Sequence, residues 1–189
     1  PGLISPRLSF FSSEIMASSA LNSGSKTPPF ASNAAAYKMV SSIPKNSEIF
    51  ALDSNVEDAQ KNAILKAKNS HNSVGGVTLI NVKNCPVGLG EPIYHKLDAQ
   101  IANAMMSINA VKAVEIGDGI LASKVKGYDN NDQIRKDGFK TNHSGGILGG
   151  ISNGDDINVK VYFKATPSIF IEQETIDIHN DEVNCQLKG

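Results

Sequence analysis

TNHSGGILGGISNGDDINVKVYFK, residues 141–164, holds the two signals that organise the rest of the chain. Its second half alternates strictly. Ile157, Val159, Val161 and Phe163 are apolar, while Asn158, Lys160, Tyr162 and Lys164 are polar. Period-two alternation places the two sets on opposite faces of a strand, one face dry and one wet. Its first half, Thr141 to Gly154, carries two glycine pairs, a hydroxyl at each flank and no acidic residue. Glycine lacks a Cβ and reaches positive φ at little cost, so the N–H groups of such a loop can approach an anion closely. Lys164, one strand later, can add a positive charge. A phosphate-bearing ligand is the first expectation; a tight loop that binds nothing is the alternative.

Working outward, Asp155-Asp156 reads as a hairpin or loop surface before the strand. Upstream, Val111–Ile116 reads as a strand ended by Gly117-Asp118-Gly119, and residues 124–140 as an exposed polar loop or lid. Ile93, Leu97, Ile101, Ala104, Met105 and Ile108 recur at helical spacing, with Gly88, Gly90 and Pro92 before them. Proline suits a first helical turn, so the helix is expected to begin near Pro92. The methionine pair reads as core filling. Val77–Val82 is apolar on both faces and predicts a buried strand. Ser54-Asn55-Val56-Glu57 has the form of a capping box, opening a helix with Val56, Ala59, Ala63 and Ala67 on one stripe and a break at residues 69–72. Downstream, Ile169–Ile178 and Val183–Leu187 read as strands around a turn at Asn180-Asp181. Helices and strands mix without a regular βαβ rhythm, so the class is α+β.

Composition bounds the function. The chain has 189 residues, is 40% hydrophobic and 20% charged, and carries a formal charge of −1. That fits a globular domain and gives no general attraction to nucleic acid or an anionic membrane. No apolar run approaches the roughly 20 residues that span a bilayer. Cys85 and Cys185 form no metal-ligand spacing and read as free thiols in a reducing cytoplasm. Residues 1–45 differ in kind: rich in proline and serine, with Glu14 the only acidic residue. An aberrant start ranks first for this segment, a poorly ordered one second and a targeting peptide third.

The order GLGEPIYHKLDAQIANAMMSINAVKAVEIGDG and then KDGFKTNHSGGILGGISNGDDINVKVYFKATPSI resembles chorismate synthase, from about Asn46 to Gly189. The resemblance implies part of a β-α-β sandwich with antiparallel sheets and packed helices, with residues 46–189 a partial domain. It implies a carbon–oxygen lyase that removes phosphate from 5-enolpyruvylshikimate 3-phosphate by 1,4-anti-elimination, giving chorismate for aromatic amino-acid synthesis. The family needs reduced FMN without net redox change and works as a homotetramer. A cytoplasmic location, with no nucleic-acid or membrane partner, and NADP belong to the same expectation.

Carried over residue by residue, the family's FMN contacts fall on Asn109 and Ala110 of the NAVK stretch and on Gly149 of LGG. They fall also on the turn Lys164, Ala165, Thr166, Pro167 and Ser168. Here that turn reads Lys-Ala-Thr-Pro where the family has Lys-Pro-Thr, which loosens it around Thr166. The family's catalytic histidines lie in upstream motifs of the forms FGESHG and RPGHAD, which this chain lacks, as it lacks the Arg-Ser-Ser contact and the downstream Arg-His-Asp-Pro-Cys. No catalytic residue and no metal ligand is therefore expected within it. A non-catalytic FMN- or phosphate-binding fragment, or an inactive remnant, is the alternative. His143 reads as loop-orienting, His71, His95 and His179 as solvated, Cys85 as lacking a base, and Asp118 as a turn former able to bind a hydroxyl.

Overall fold

The computed structural model describes residues 47–49, 51 and 54–188, the Ser54 side chain excepted. The segment expected to be aberrant or poorly ordered, residues 1–45, lies outside them. The chain divides into two compact units: Val77–Tyr162, and residues 47–76 with 163–188.

The first unit is built on a three-stranded sheet of β1 (Gly76–Val82), β2 (Val111–Ile116) and β7 (Ile157–Phe163), with β7 in the centre. Both neighbours run antiparallel to β7. The N–H of Gly117, just past β2, donates to the carbonyl of Asn158 at the start of β7 (2.9 Å). Asn81, near the end of β1, donates from its amide to the Asn158 side chain (2.6 Å). The alternation of β7 is realised: Ile157, Val159 and Val161 are buried at 1%, 4% and 0% exposure. On its other face Lys160 pairs with Glu115 (3.4 Å), and a hydrogen bond to Glu115 raises the Tyr162 phenol above its ordinary pKa. Helix α1 (Ser54–Asn69) belongs to the second unit; helix α2 (Leu97–Met106) packs against β2 and buries Leu97.

Two expectations are corrected. Helix α2 begins at Leu97, not near Pro92, because Glu91 and His95 exchange backbone hydrogen bonds (2.8 and 2.9 Å) and close a local turn around Pro92 first. Ile93 falls in that turn and is 79% exposed. Strand β1 forms where expected but is not buried: Val77 and Leu79 are 55% and 51% exposed. It is an edge strand, with Ile80 and Val82 half-buried and the rest of the strand exposed.

The 124–140 segment is exposed but structured. It holds a short helix α3 (Gly127–Asn130) and a small hairpin of β3 (Ile134–Arg135) and β4 (Gly138–Phe139). A second hairpin, β5 (Ile147–Leu148) and β6 (Ile151–Ser152), lies within the glycine-rich loop. Ser152 is 1% exposed, and its hydroxyl is fully used. It donates to the Pro86 carbonyl (2.6 Å) and accepts the Leu89 N–H (2.9 Å), which ties residues 86–89 to the hairpin.

In the second unit, α1 covers the expected helix and ends at the expected break. The Lys61 ammonium (2.8 Å) holds the Glu57 carboxyl below its ordinary pKa in an i,i+4 ion pair, and the Ser54 hydroxyl of the expected capping box lies outside the described residues. The expected C-terminal strands are shorter, β8 (Gln173–Ile176) and β9 (Glu182–Cys185), paired antiparallel. Their turn contains Asn180 at φ 68°, a left-handed conformation that asparagine tolerates. Among the described residues no helix is long and apolar enough to cross a membrane.

The dry face of β7 makes a direct prediction. Ile157→Ala should destabilise the first unit by about 2–5 kcal/mol, the range for emptying a fully buried aliphatic site. Urea unfolding would read it; a loss under about 1 kcal/mol would contradict the packing described.

Candidate functional site

The glycine-rich loop is shaped first by backbone against backbone. Gly117 and Gly145 both sit at positive φ, 60° and 64°. A Cβ on Gly117 would collide with the His143 carbonyl, and one on Gly145 with the Gly117 N–H. The loop can seat on the end of β2 only because neither residue has a side chain.

The N–H groups at its start are already occupied. Asp132 accepts the His143 N–H (2.7 Å) and the Ser144 N–H (2.9 Å), and also the Thr141 hydroxyl (2.7 Å). Asn142 accepts the Gly146 N–H on its side-chain oxygen (2.6 Å) and donates to the Asp156 carbonyl (2.7 Å). The expectation of a cradle open to an external anion is thus corrected for residues 143–146: an internal carboxylate and an internal amide fill it. Partial burial pulls the Asp132 pKa upward, but the hydrogen bonds from Ser144, His143 and Thr141 outweigh it and hold the carboxyl below its ordinary value. The residues alone gave little to find Asp132 by. It lies in a polar stretch with no periodicity, nine positions before Thr141.

His143 has the loop-orienting geometry expected of it. Its Nδ1 lies 2.6 Å from the Asp118 carboxylate, and the Asp118 N–H donates to its carbonyl (2.9 Å). Asp118 is therefore committed to the loop. Elsewhere, His71 is exposed with its ring edge-on to Phe170, His95 contacts Gln100 (3.2 Å) just before α2, and His179 lies in the β8–β9 turn. Cys85 is buried, which raises its thiol pKa, and neither it nor Cys185 is in a disulfide. Among the described residues no cluster of His, Cys, Asp or Glu is suited to a metal ion.

The expected FMN contacts fall at three places. Asn109 and Ala110 follow the C-terminal end of α2 and lead into β2, with Ala110 at φ 72°. Gly149 is at the other end of that helix. Gly149 and Gly150 (φ 60° and 86°) form the two-residue turn of the β5–β6 hairpin, and the Gly150 carbonyl accepts the N–H of Leu97, the first residue of α2 (2.8 Å). The structure thus sets Gly149 apart from Asn109 and Ala110 by the length of a ten-residue helix, about 15 Å. Gly149 is exposed, and a Cβ built there would meet nothing within 4 Å, so its bare backbone faces open space.

Lys164, Ala165, Thr166, Pro167 and Ser168 lie in the second unit, all exposed. Ser73 donates to the Thr166 carbonyl (2.6 Å), and Gln173 reaches the Pro167 carbonyl (3.5 Å). These bonds hold the turn through its carbonyls. Among the described residues the Lys164 ammonium and the Thr166 and Ser168 hydroxyls have no partner, so all three are free to donate. A flavin mononucleotide offers a dianionic phosphate, polar ring edges and a flat face. Free donors, an exposed amide at Asn109 and an open backbone at Gly149 suit those groups.

Comparison with known proteins bears on this geometry. The profile of the chorismate synthase family matches residues 13–189, so the match reaches upstream of Asn46. A chorismate synthase of Aliarcobacter butzleri is 86% identical over 145 residues, which cover 77% of this chain and 40% of that protein. One from Sulfurimonas denitrificans is 66% identical over the same shares of both chains. A crystal structure of chorismate synthase superposes with a TM-score of 0.60 at 37% identity, over 65% of this chain and 38% of the other. The chain therefore spans about two fifths of the length of the curated relatives it matches. A match over most of the sequence, high identity to proteins of that name and a shared α+β fold agree: the chain belongs to the chorismate synthase family.

Proposed function

We propose that the protein acts as a chorismate synthase, a lyase that eliminates phosphate from 5-enolpyruvylshikimate 3-phosphate to give chorismate, and that this chain carries part of its FMN site. The 86% identity to a chorismate synthase is the observation that carries the reading. A homotetramer, a cytoplasmic location and reduced NADP (NADPH) as a source of reducing equivalents belong to the same proposal. The unpaired cysteines fit a reducing compartment.

In this reading Lys164 neutralises anionic charge on the cofactor, and Thr166 and Ser168 donate hydrogen bonds beside it. The Asn109 amide, with donor and acceptor on one group, pairs with a polar ring edge at the start of β2. The backbone at Ala110 adopts the left-handed region there, against alanine's own preference. Gly149 lets a flat ligand rest directly on the chain. Reduced FMN, when bound, supplies the electron-rich ring that the family's elimination requires without net redox change. The histidines of this chain have other work: His143 is tied to Asp118, and the others are exposed. No proton transfer is assigned to them.

Two measurements test this. Incubated anaerobically with reduced FMN and 5-enolpyruvylshikimate 3-phosphate, the full-length protein should release chorismate and phosphate in equal amounts. Phosphate release without chorismate, or no turnover, would contradict the activity. In a flavin titration of the same protein, Lys164→Gln should weaken FMN binding about tenfold or more, the usual effect of losing one hydrogen bond to a charged group. An unchanged affinity would remove Lys164 from the site.

A further inference from the structure

The loop between Thr141 and Gly154 contains five glycines, all at positive φ. Such a segment loses more conformational freedom on ordering than one built of other residues. Something must hold it, and the hydrogen bonds name the holder. The carboxylate of Asp132 gathers three donors from Thr141, His143 and Ser144 at 2.7–2.9 Å. One residue between them, Asn142, passes the constraint on. Its side chain bonds Gly146 ahead and Asp156 across, and the Asn153 N–H donates to the Gly146 carbonyl (3.0 Å). From there the β5–β6 register, Ile147 opposite Ser152 and Leu148 opposite Ile151, leads directly to the Gly149-Gly150 turn.

We propose that Asp132 is a positioning residue: its carboxylate is the anion that the glycine loop binds, and by filling the amides of His143 and Ser144 it holds the Gly149 turn ready for the flavin. Consecutive N–H groups aimed at one point form an anion site, and a carboxylate supplied by the same chain occupies it without any loss of translational freedom. A ligand meeting Gly149 then finds a loop already ordered. The geometry of the tether stands by itself; its consequence for the flavin rests on the reading given above.

The titration has a defined sign. The Asp132 pKa lies below its ordinary value in the folded protein. The tether is therefore complete above the ordinary aspartate range, and is lost as pH falls through the lowered folded value. The other titratable groups at the loop are Asp118 and His143, which bond each other, with Asp155 and Asp156 at its far end and Tyr128, Asp129 and Lys140 lining a cavity with His143.

Amide hydrogen exchange across residues 143–152 of the full-length protein, corrected for intrinsic rates, tests the tether. The native protein should keep the His143 and Ser144 amides protected down to the ordinary aspartate range and lose protection below it. Asp132→Asn should exchange about tenfold faster, with no pH step of its own, as expected when a charge-assisted acceptor becomes a neutral amide. In Asp132→Ala, added sodium acetate should restore protection by placing a free carboxylate in the vacated amides, which a purely space-filling role for Asp132 would not allow. Native-like exchange in Asp132→Asn, or no acid step in the native protein, overturns the proposal. If the variants fail to fold, the native pH profile alone decides. FMN affinity should fall about tenfold in Asp132→Asn. Faster exchange with unchanged FMN affinity would overturn the link to the flavin, whereas a native protein that binds no FMN would refute the flavin reading and leave the exchange result standing.

Discussion

The first unit depends on one dry face, that of β7. Ile157, Val159 and Val161 are all buried on it, at 4% exposure or less, and β7 is the strand that both β1 and β2 join. A one-residue slip of β7 would turn these three toward water and bring Asn158, Lys160 and Tyr162 into the core, so the register is strongly fixed. Everything at the lower end of the sheet inherits that register. Gly117 is placed by its bond to Asn158, and Gly145 can then close on Gly117 only because both lack a side chain. The glycine loop is in this sense an extension of the sheet, seated by backbone contact.

Charge within the loop is organised in the same economical way. Glycine-rich segments with adjacent N–H groups suggest a ligand phosphate, and the nearest anion is instead Asp132. Asp118 does the equivalent for the His143 ring. Two carboxylates thus shape the loop, and its exposed features are what remain for a ligand: the open backbone of Gly149 in the first unit. In the second unit, Lys164 and two neighbouring hydroxyls have no partner among the described residues, on a turn whose carbonyls are held by Ser73 and Gln173. In the proposed reading the anion expected from the sequence is received by Lys164 and not by residues 143–146 of the loop.

How much of this was legible in the residues varies with the kind of signal. Strand β7 could be read at once, since strict alternation over seven residues has one structural solution when one face is buried. The end of β2 at Gly117 was legible from a local glycine break, whereas the β5–β6 hairpin was read only as part of a glycine-rich loop. Strand β1 was legible as a strand but not as an edge, because its position depends on strand order, and a continuous apolar run looks alike in a buried strand and at an uncovered edge. The start of α2 was misread because Pro92 suits a first helical turn, while the competing Glu91–His95 turn is set by backbone hydrogen bonds and leaves no compositional trace. Asp132 was invisible for a related reason: its partners are main-chain groups eleven and twelve residues on, and only the folded loop brings them to it. The FMN contacts were named through family resemblance; only Lys164 and the glycine pair that holds Gly149 were also marked by the residues themselves, and neither signal specified a flavin.

The central claim is that this chain meets FMN at Asn109–Ala110, at Gly149 and at Lys164–Ser168, while the His143 and Ser144 amides stay with Asp132. Backbone amide chemical shifts of the full-length protein, recorded on addition of FMN, test it most directly. The account predicts large changes at those three places and small ones at His143 and Ser144. Changes centred on His143 and Ser144, with Gly149 and Lys164 unmoved, would show that the glycine loop binds the phosphate itself and would contradict the account.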